Sequence, residues 1–222
     1  MTIYPGITTT NRNWRDRIKE VKKSGLTEIS FFPTCLKASE RQESYDLLIK
    51  AGIKKIPFIH LRTDMDADEI NYLINQFKTK VFNIHTIGAH KMDYNLSAFS
   101  SMIYIENQAH RFADNELKSY AGICIDFSHL ENARLNKMTI YDYFMDLIGR
   151  YPCGCAHVNA IKNKPINKTI WHYDYHKYDN LSDFDYLAKY KDLIPNIVAL
   201  ELENSISEQL KAKDYIEKLI TA

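Results

Sequence analysis

The feature that most constrains the fold of this chain is a regular alternation of short apolar runs with charged segments of helical periodicity. Eight runs rich in apolar or β-branched residues are predicted to be strands: Ile3–Thr8, Glu28–Phe32, Lys55–His60, Val81–Thr86, Met102–Asn107, Gly122–Phe127, Cys155–Asn159 and Ile197–Glu203. Strand followed by helix, repeated about eight times, is typical of a parallel sheet with crossover connections. Eight repeats favour a closed ring, so the sequence predicts an α/β fold, a (β/α)8 TIM barrel, with residues 1–222 as a single domain.

Helical spacing is found in most of the segments between these strands. Six helices are predicted: Asn13–Ser24, Ala38–Ala51, Asp66–Phe77, Thr139–Arg150, Ser182–Tyr190 and Ser205–Thr221. The segments after the fourth and fifth strands predict only short helices. The long segment from Ala160 to Leu181 is predicted to be a functional loop over the barrel mouth, because structureless loops of that length are uncommon in compact domains. No GxGxxG follows the first strand and no GxxxxGK[ST] occurs, which argues against the usual nucleotide-binding loops.

Charge and cysteine content narrow the possible partners and the cellular setting. The 29 basic and 28 acidic residues nearly balance, which predicts no strong non-specific attraction to a polyanion. Four cysteines are too few for a disulfide scaffold in 222 residues, and Cys153 and Cys155 are interpreted as strand packing. The N-terminal residues do not show the basic stretch followed by an apolar run that is typical of a signal peptide. No apolar run approaches the roughly 20 residues that span a bilayer. These observations predict a cytoplasmic protein without membrane contact.

Side chains that can bind metal recur at the C-terminal ends of the predicted strands. They are His60, His85, Glu106, Asp126 with His129, His157, and Glu201 with Glu203, and the long loop adds His172, Asp174 and His176. In a barrel these strand ends converge on one site. Imidazoles and carboxylates are ligands that zinc and manganese accept, and a buried, unpaired carboxylate costs several kcal/mol. Any one of these histidines alone would be interpreted as structural, but their recurrence on six strands predicts a site for divalent metal.

Three short motifs among these residues resemble a known family. GICIDFSH, with Asp126 and His129 three positions apart, resembles the sixth-strand signature of xylose-isomerase-like barrels, and within them of the apurinic/apyrimidinic endonuclease IV type. HVNAIKN, from His157, is similar to that family's seventh-strand motif. The Asp174-Tyr-His176 segment is similar to its Asp-x-His pair in the following loop. The resemblance covers the chain from about the third strand to the eighth, as matched positions and not as continuous identity.

This resemblance implies a cluster of up to three metal ions, with zinc expected and manganese or magnesium as alternatives. The implied ligand sets are His60, His85 and Glu106 at one metal; Glu106, Asp126, His157 and Glu201 at the second; and His129, Asp174 and His176 at the third. Glu106 would bridge two ions. Glu201 is preferred for the eighth strand because IVALE ends in this residue, and Glu203, which has the same parity along the strand, is the alternative.

Three functions follow from this interpretation. The first is hydrolysis of a phosphoric ester, with a small phosphorylated substrate or damaged DNA, for which Lys162, Lys164 and Lys168 are candidate contacts. The balanced charge, and the LRTDM that follows the third strand, count against DNA. The second is isomerisation or epimerisation of a small sugar at one metal held by Glu106, Asp126, His157 and Glu201, with the two glutamates as catalytic proton-transfer groups. The third is a metal-binding barrel without turnover. The Asp-x-His pair and the number of ligands favour the hydrolase.

Overall fold

Eight strands, each parallel to the next along the chain, form the centre of the computed structural model, which describes residues 1–113, 115–165 and 172–221. They are β1 (Thr2–Tyr4 and Gly6–Thr8), β2 (Glu28–Phe32), β3 (Lys55–His60), β4 (Val81–Ile84), β5 (Ile103–Glu106), β6 (Gly122–Asp126), β7 (Cys153–Val158) and β8 (Ile197–Leu200). Each strand pairs with its neighbour in sequence order from β1 to β8. The strand order therefore follows directly from the alternation in the sequence.

The ring closes at β1, which Pro5 divides into two segments. Residues before Pro5 pair with β8, where Thr2 lies opposite Ile197, and residues after it pair with β2, where Gly6 lies opposite Ser30. Proline has no N–H to donate, but its carbonyl oxygen accepts a hydrogen bond from the Ser30 N–H at 2.9 Å. One strand thus serves both edges of the sheet, and the predicted (β/α)8 barrel is confirmed.

Six α-helices of the described ranges lie outside the strands. They are α1 (Trp14–Ser24), α2 (Ala38–Lys50), α3 (Ala67–Phe77), α4 (Phe127–Leu135), α5 (Thr139–Ile148) and α6 (Ile206–Thr221). Helix α4 is not among the predicted helices, and its first residue, Phe127, falls at the end of a predicted strand. The predicted helix at Ser182–Tyr190 is a longer 3₁₀ segment, Leu181–Leu193, and only short 3₁₀ turns follow β4 and β5, as expected. None of the described helices is long and apolar enough to cross a membrane.

The barrel interior is filled by a layer of apolar side chains that sets the direction of the residues above it. Phe58, Cys124, Cys155 and Ala199 belong to one buried cluster inside the ring. Because side chains alternate along a strand, the residue two positions further on faces the same way. The residue two positions after each member of this layer therefore points toward the barrel axis. It lies at the C-terminal end of the strands, where barrel enzymes place their active sites. The two buried cysteines pack in this layer.

Gln209 of α6 ties the closing seam together. Its side chain is fully buried, its Oε1 accepts a hydrogen bond from the Gly6 N–H at 2.7 Å, and its Nε2 lies 2.9 Å from the carbonyl oxygen of Gly6 and 3.0 Å from that of Leu202. The side chain of one helix residue thus satisfies backbone groups of both β1 and the segment after β8.

Replacing Gln209 with alanine is expected to lower the free energy of unfolding by about 2–4 kcal/mol, because several buried backbone groups lose their partner and a void is left. Urea unfolding measures this change. The matched control is Gln76→Ala on the exposed face of α3, where we expect a change within about 0.5 kcal/mol. Equal effects at the two positions would contradict the role of Gln209 in the seam.

Candidate metal centre

Six side chains from consecutive strands meet at the C-terminal mouth of the barrel. They are His60, His85, Glu106, Asp126, His157 and Glu201, which end or directly follow β3 to β8 except that His157 is the penultimate residue of β7. All but His85 are at least nine-tenths buried. The interior layer described above lies two positions before four of them, which explains why they share one direction. The sequence prediction thus placed all six at the correct end of the barrel.

Ligand atoms at this mouth form three overlapping groups, and the atoms of each group lie within 4.8 Å of one another. The groups are His60, His85 and Glu106; Glu106, Asp126 and His129; and Asp126, His157 and Glu201. Glu106 belongs to two groups and Asp126 to two, so each carboxylate connects neighbouring groups. A carboxylate has two oxygens and can serve two partners at once.

In the first group, two imidazole nitrogens face each other. His60 Nε2 lies 3.1 Å from His85 Nε2 and 3.3 Å from Glu106 Oε2. The other ring nitrogen of His60, Nδ1, donates to the Leu61 carbonyl oxygen at 2.8 Å, which leaves Nε2 as the acceptor toward the centre. Asn83 Nδ2 donates to Glu106 Oε2 at 2.7 Å and orients that carboxylate. A backbone carbonyl that fixes an imidazole tautomer in this way is typical of metal-binding histidines.

His157 provides the test of whether these residues suit a metal ion. Its ring is fully buried, packs edge-on against Phe32 and Phe58, and has no hydrogen-bond partner for either nitrogen. Its Nδ1 lies 3.5 Å from Glu201 Oε2 and 3.6 Å from Glu106 Oε2. Two ligand atoms each about 2.1 Å from a tetrahedral ion lie about 3.4 Å apart, so this spacing suits coordination better than hydrogen bonding. The donor set therefore fits a divalent cation.

Asp126 joins the centre to helix α4. Its Oδ1 accepts hydrogen bonds from the N–H groups of Ser128 and His129 and from the Ser128 hydroxyl, at 2.5–2.9 Å, and so caps the helix. Its Oδ2 remains directed at the centre, 3.7 Å from His129 Nε2. Asp126 and His129 thus face each other for a local reason. The helix begins at Asp126, and its first turn brings His129, three residues later, back beside the aspartate.

The implied third ligand set requires Asp174 and His176 to bind the same metal ion. In the structure, the two side chains contact different residues. Asp174 Oδ2 lies 2.9 Å from His129 Nδ1, and its Oδ1 lies 2.7 Å from His172 Nδ1. His176 instead lies beside Glu201, with Nδ1 3.1 Å from that residue's carbonyl oxygen. Within the described ranges, no group of ligand atoms closer than 4.8 Å brings His176 together with His129 and Asp174. In this geometry His129 joins Glu106 and Asp126.

The two glutamates considered for the eighth strand have different surroundings. Glu201 is nine-tenths buried and belongs to the group with Asp126 and His157. The Glu203 carboxylate accepts a hydrogen bond from the Thr10 hydroxyl at 2.7 Å, outside the three groups. The regular strand ends at Leu200. The alternation of side chains that predicted the same direction for both glutamates therefore no longer applies at Glu203.

Burial and neighbouring charges shift the titration of these groups in opposite directions. Burial alone would raise the pKa of Glu106 and Glu201, but the facing imidazoles outweigh burial and hold both pKa values below their usual range. Burial raises the pKa of Asp126. Burial lowers the pKa of His85 to about 4, whereas the carboxylates around His157 outweigh burial and raise its pKa. Carboxylates and imidazoles at this density shift one another's pKa values as functional sites do.

Three buried asparagines support the centre and were not among the predicted site residues. Besides Asn83, Asn107 bonds to both the N–H and the carbonyl oxygen of Asp126, at 2.8 and 3.0 Å. Asn159 Nδ2 lies 3.3 Å from Glu201 Oε2 and 3.5 Å from Asp126 Oδ2. Each lies one or two residues from a strand-end ligand, inside an apolar strand for Asn83 and directly after one for Asn107 and Asn159, and an amide at such a position was the available signal.

No family model matches this chain, and no curated protein matches it. Among solved structures, it is similar to a xylose isomerase domain protein from Alicyclobacillus acidocaldarius subsp. acidocaldarius, at 12% identity over 99% of each chain with a TM-score of 0.49. It is also similar to the apo form of 3-keto-D-glucoside 4-epimerase from E. coli, at 13% identity over 100% of each chain with a TM-score of 0.42. Neither similarity is close enough to assign a function, which is therefore argued from the geometry of the centre.

Proposed function

We propose that this chain is a divalent-metal-dependent phosphoric ester hydrolase of the endonuclease IV type, with more than one metal ion. The observation that carries this proposal is the overlap of the three ligand groups, in which Glu106 and Asp126 are each shared. A site for one ion needs no shared carboxylates. It would also leave the facing pair of His60 and His85 nitrogens, 3.1 Å apart, without a function.

The donor atoms favour zinc. The three groups contain imidazole nitrogens and carboxylate oxygens and no thiolate, a set that also accepts manganese. Bound divalent ions would polarise the phosphoryl oxygens and supply hydroxide near neutral pH. In the metal-bound protein, the carboxylates would be ionised and the coordinating imidazole nitrogens unprotonated.

Residues around the ligands hold the centre in place and exclude water from its side facing the barrel interior. Asn159 connects the carboxylates of Asp126 and Glu201, and Asp174 holds His129 through Nδ1. Phe32 and Phe58 cover the His157 ring on the interior side of the barrel. Among the described residues, the centre is thus closed on its interior side, and a substrate would approach it from the C-terminal mouth of the barrel, where the phosphoryl group would meet the ligands.

The charges near the mouth favour a small phosphoric ester over DNA. Lys162 is bound by Asp179 and Asp183, both at 2.8 Å, so its charge is already compensated. Lys164 is exposed, and Lys168 lies outside the described residues. A protein that grips DNA neutralises several phosphates with free basic side chains, and a net charge of +1 does not supply such a surface.

A sugar isomerase or epimerase is the second candidate, and one observation favours it. Nδ1 of His157 lies 3.5–3.8 Å from oxygens of Glu106, Asp126 and Glu201, so these four residues alone could hold one ion. Glu106 and Glu201 would then be the two groups that exchange protons with the substrate carbon.

The experiment that separates these candidates measures metal per chain by elemental mass spectrometry, on protein purified without added metal. We expect more than one ion per chain, mostly zinc, together with hydrolysis of bis(p-nitrophenyl) phosphate or p-nitrophenyl phosphate. One ion per chain, with interconversion of ketoses and aldoses and no hydrolysis, would replace the hydrolase with the isomerase. No metal, even after titration with zinc and manganese, would overturn both.

A further inference from the structure

A cavity of about 710 Å³ opens beside the metal centre. Its walls come from the loops after β4, β5 and β7, from helix α4, and from the connection between α4 and α5 with the start of α5. His129 lines the cavity and also belongs to the ligand group with Glu106 and Asp126. A molecule in this cavity therefore has direct access to the centre.

The lining of this cavity is polar and, among the described residues, contains no carboxylate, ammonium or guanidinium group. Four imidazoles line it, those of His90, His110, His129 and His172, together with three side-chain amides. The rest is apolar, with alanines, Met138 and Ile140. Among the lining residues that the structure describes, none is Asp, Glu, Lys or Arg.

We propose that this cavity receives the organic group of the phosphoric ester and that this group is uncharged, an inference that rests on the proposed function. A charged group placed here would lose hydration without gaining a counter-charge, which is costly. The amides and the imidazoles of His90 and His110 can instead bond to hydroxyl groups, while Met138 and Ile140 offer an apolar wall to a ring.

The volume of the cavity limits the size of this group. At about 30 Å³ per water molecule, the cavity has room for roughly two dozen waters. This lies within the range of about 300–1,000 Å³ that is typical of small-molecule sites. The cavity therefore accommodates one or two rings and not a polymer.

A smaller cavity of about 250 Å³ lies on the other side of His90, against His60 and His85. Of the described residues lining the two cavities, Arg62 is the only charged one, and its Nε donates to Asp64 at 2.9 Å. Neither cavity thus offers an uncompensated positive charge. The phosphoryl group would therefore bind at the metal centre, and the larger cavity would receive the neutral part of the substrate.

The first test measures binding of two unphosphorylated rings of nearly equal size by saturation-transfer NMR at pH 7.0, where an imidazole of ordinary pKa is mostly unprotonated. Glucose is neutral, whereas glucosamine still carries mostly an ammonium group. We expect glucose to bind at least about 4-fold more tightly, a difference of about 0.8 kcal/mol. Equal binding of the two rings, or tighter binding of glucosamine, would overturn the proposal.

Two variants of Met138, which lies at the rim of the cavity and is 41% exposed, locate this binding. Met138→Trp narrows the cavity and is expected to weaken glucose binding at least about 10-fold, while Met138→Glu should shift the preference toward glucosamine. The matched control is Ile49→Trp on α2, 40% exposed and away from both cavities, which should bind glucose as before. Unchanged glucose binding in Met138→Trp would place the binding site elsewhere.

Hydrolysis of glucose 6-phosphate and glucosamine 6-phosphate by the same proteins keeps the two proposals separate. We expect Met138→Trp to raise KM for glucose 6-phosphate while metal per chain is unchanged, because Met138 belongs to none of the ligand groups. Selective glucose binding without hydrolysis of any phosphoric ester would refute the hydrolase and leave the neutral cavity established. Hydrolysis that prefers glucosamine 6-phosphate would refute the neutral cavity and leave the hydrolase intact.

Discussion

Replacing Glu106 with glutamine is expected to reduce bound metal to about one ion per chain, since the group of Asp126, His157 and Glu201 does not contain Glu106. It should lower phosphoric ester hydrolysis by about 1,000-fold, or about 4 kcal/mol of transition-state stabilisation. Glu106 is shared by two ligand groups, and it faces His60 and His157 at 3.3 and 3.6 Å. Glutamine preserves the shape of the side chain but removes its charge and one acceptor oxygen. Both groups therefore lose a ligand in one step.

Elemental mass spectrometry and thermal unfolding with and without EDTA measure this effect. A metal that binds only the folded protein stabilises it, so chelation should lower the Tm of the unaltered protein more than that of Glu106→Gln. Glu131→Gln is the matched control, since Glu131 is equally buried at 3% exposed but contacts Arg134 and Lys189 outside the centre. We expect that variant to lose stability and keep its metal. Full metal content and activity in Glu106→Gln would refute the shared-ligand geometry.

Asp126→Asn is expected to weaken metal binding at least about 100-fold and to reduce hydrolysis by a similar or larger factor. The carboxylate has two tasks at once, since Oδ1 caps α4 and Oδ2 faces the centre. An amide can perform only one of them, because it has a single acceptor oxygen. The substitution either directs an NH2 group at the metal or removes the cap that holds His129.

Competition with a chromophoric chelator measures this affinity. Ser128→Ala gives the graded comparison, because it removes one hydrogen bond to Oδ1 and leaves the charge in place. We expect it to lose about 10-fold in affinity. Asp183→Asn is the control for a buried aspartate, since Asp183 binds Lys162 away from the centre and should leave metal binding unchanged. Equal affinities in Asp126→Asn and Asp183→Asn would contradict a ligand role for Asp126.

The sequence predicted the barrel because period and strand order are local properties. Each apolar run is followed by its own crossover connection, which places the next strand beside it in the sheet. Eight such units therefore determine the order of the strands. Helix α4 escaped prediction for a local reason as well. Its sequence FSHLENARL has no sustained apolar stripe, and its start depends on the capping contacts of Asp126, which period alone does not reveal.

The convergence of side chains could be predicted where the barrel fixes their direction, but not where loops position them. His60, Glu106, Asp126 and His157 occupy strand positions, so closure of the ring brings them together. His176 lies in a loop, and its position beside Glu201 depends on a path that no periodicity encodes. The neutral lining of the larger cavity likewise combines residues from several loops, which only the folded chain brings together.

The seam at β1 has a consequence for how the chain is made. Thr2 pairs with Ile197, so the first strand lacks one partner until about 195 further residues have been synthesised. At roughly 5–20 residues per second, this interval lasts on the order of 10–40 s. Gln209 is translated later still. The nascent chain thus carries open sheet edges throughout the interval between the synthesis of Thr2 and that of Ile197, and slower translation lengthens the time in which those edges can pair with another molecule.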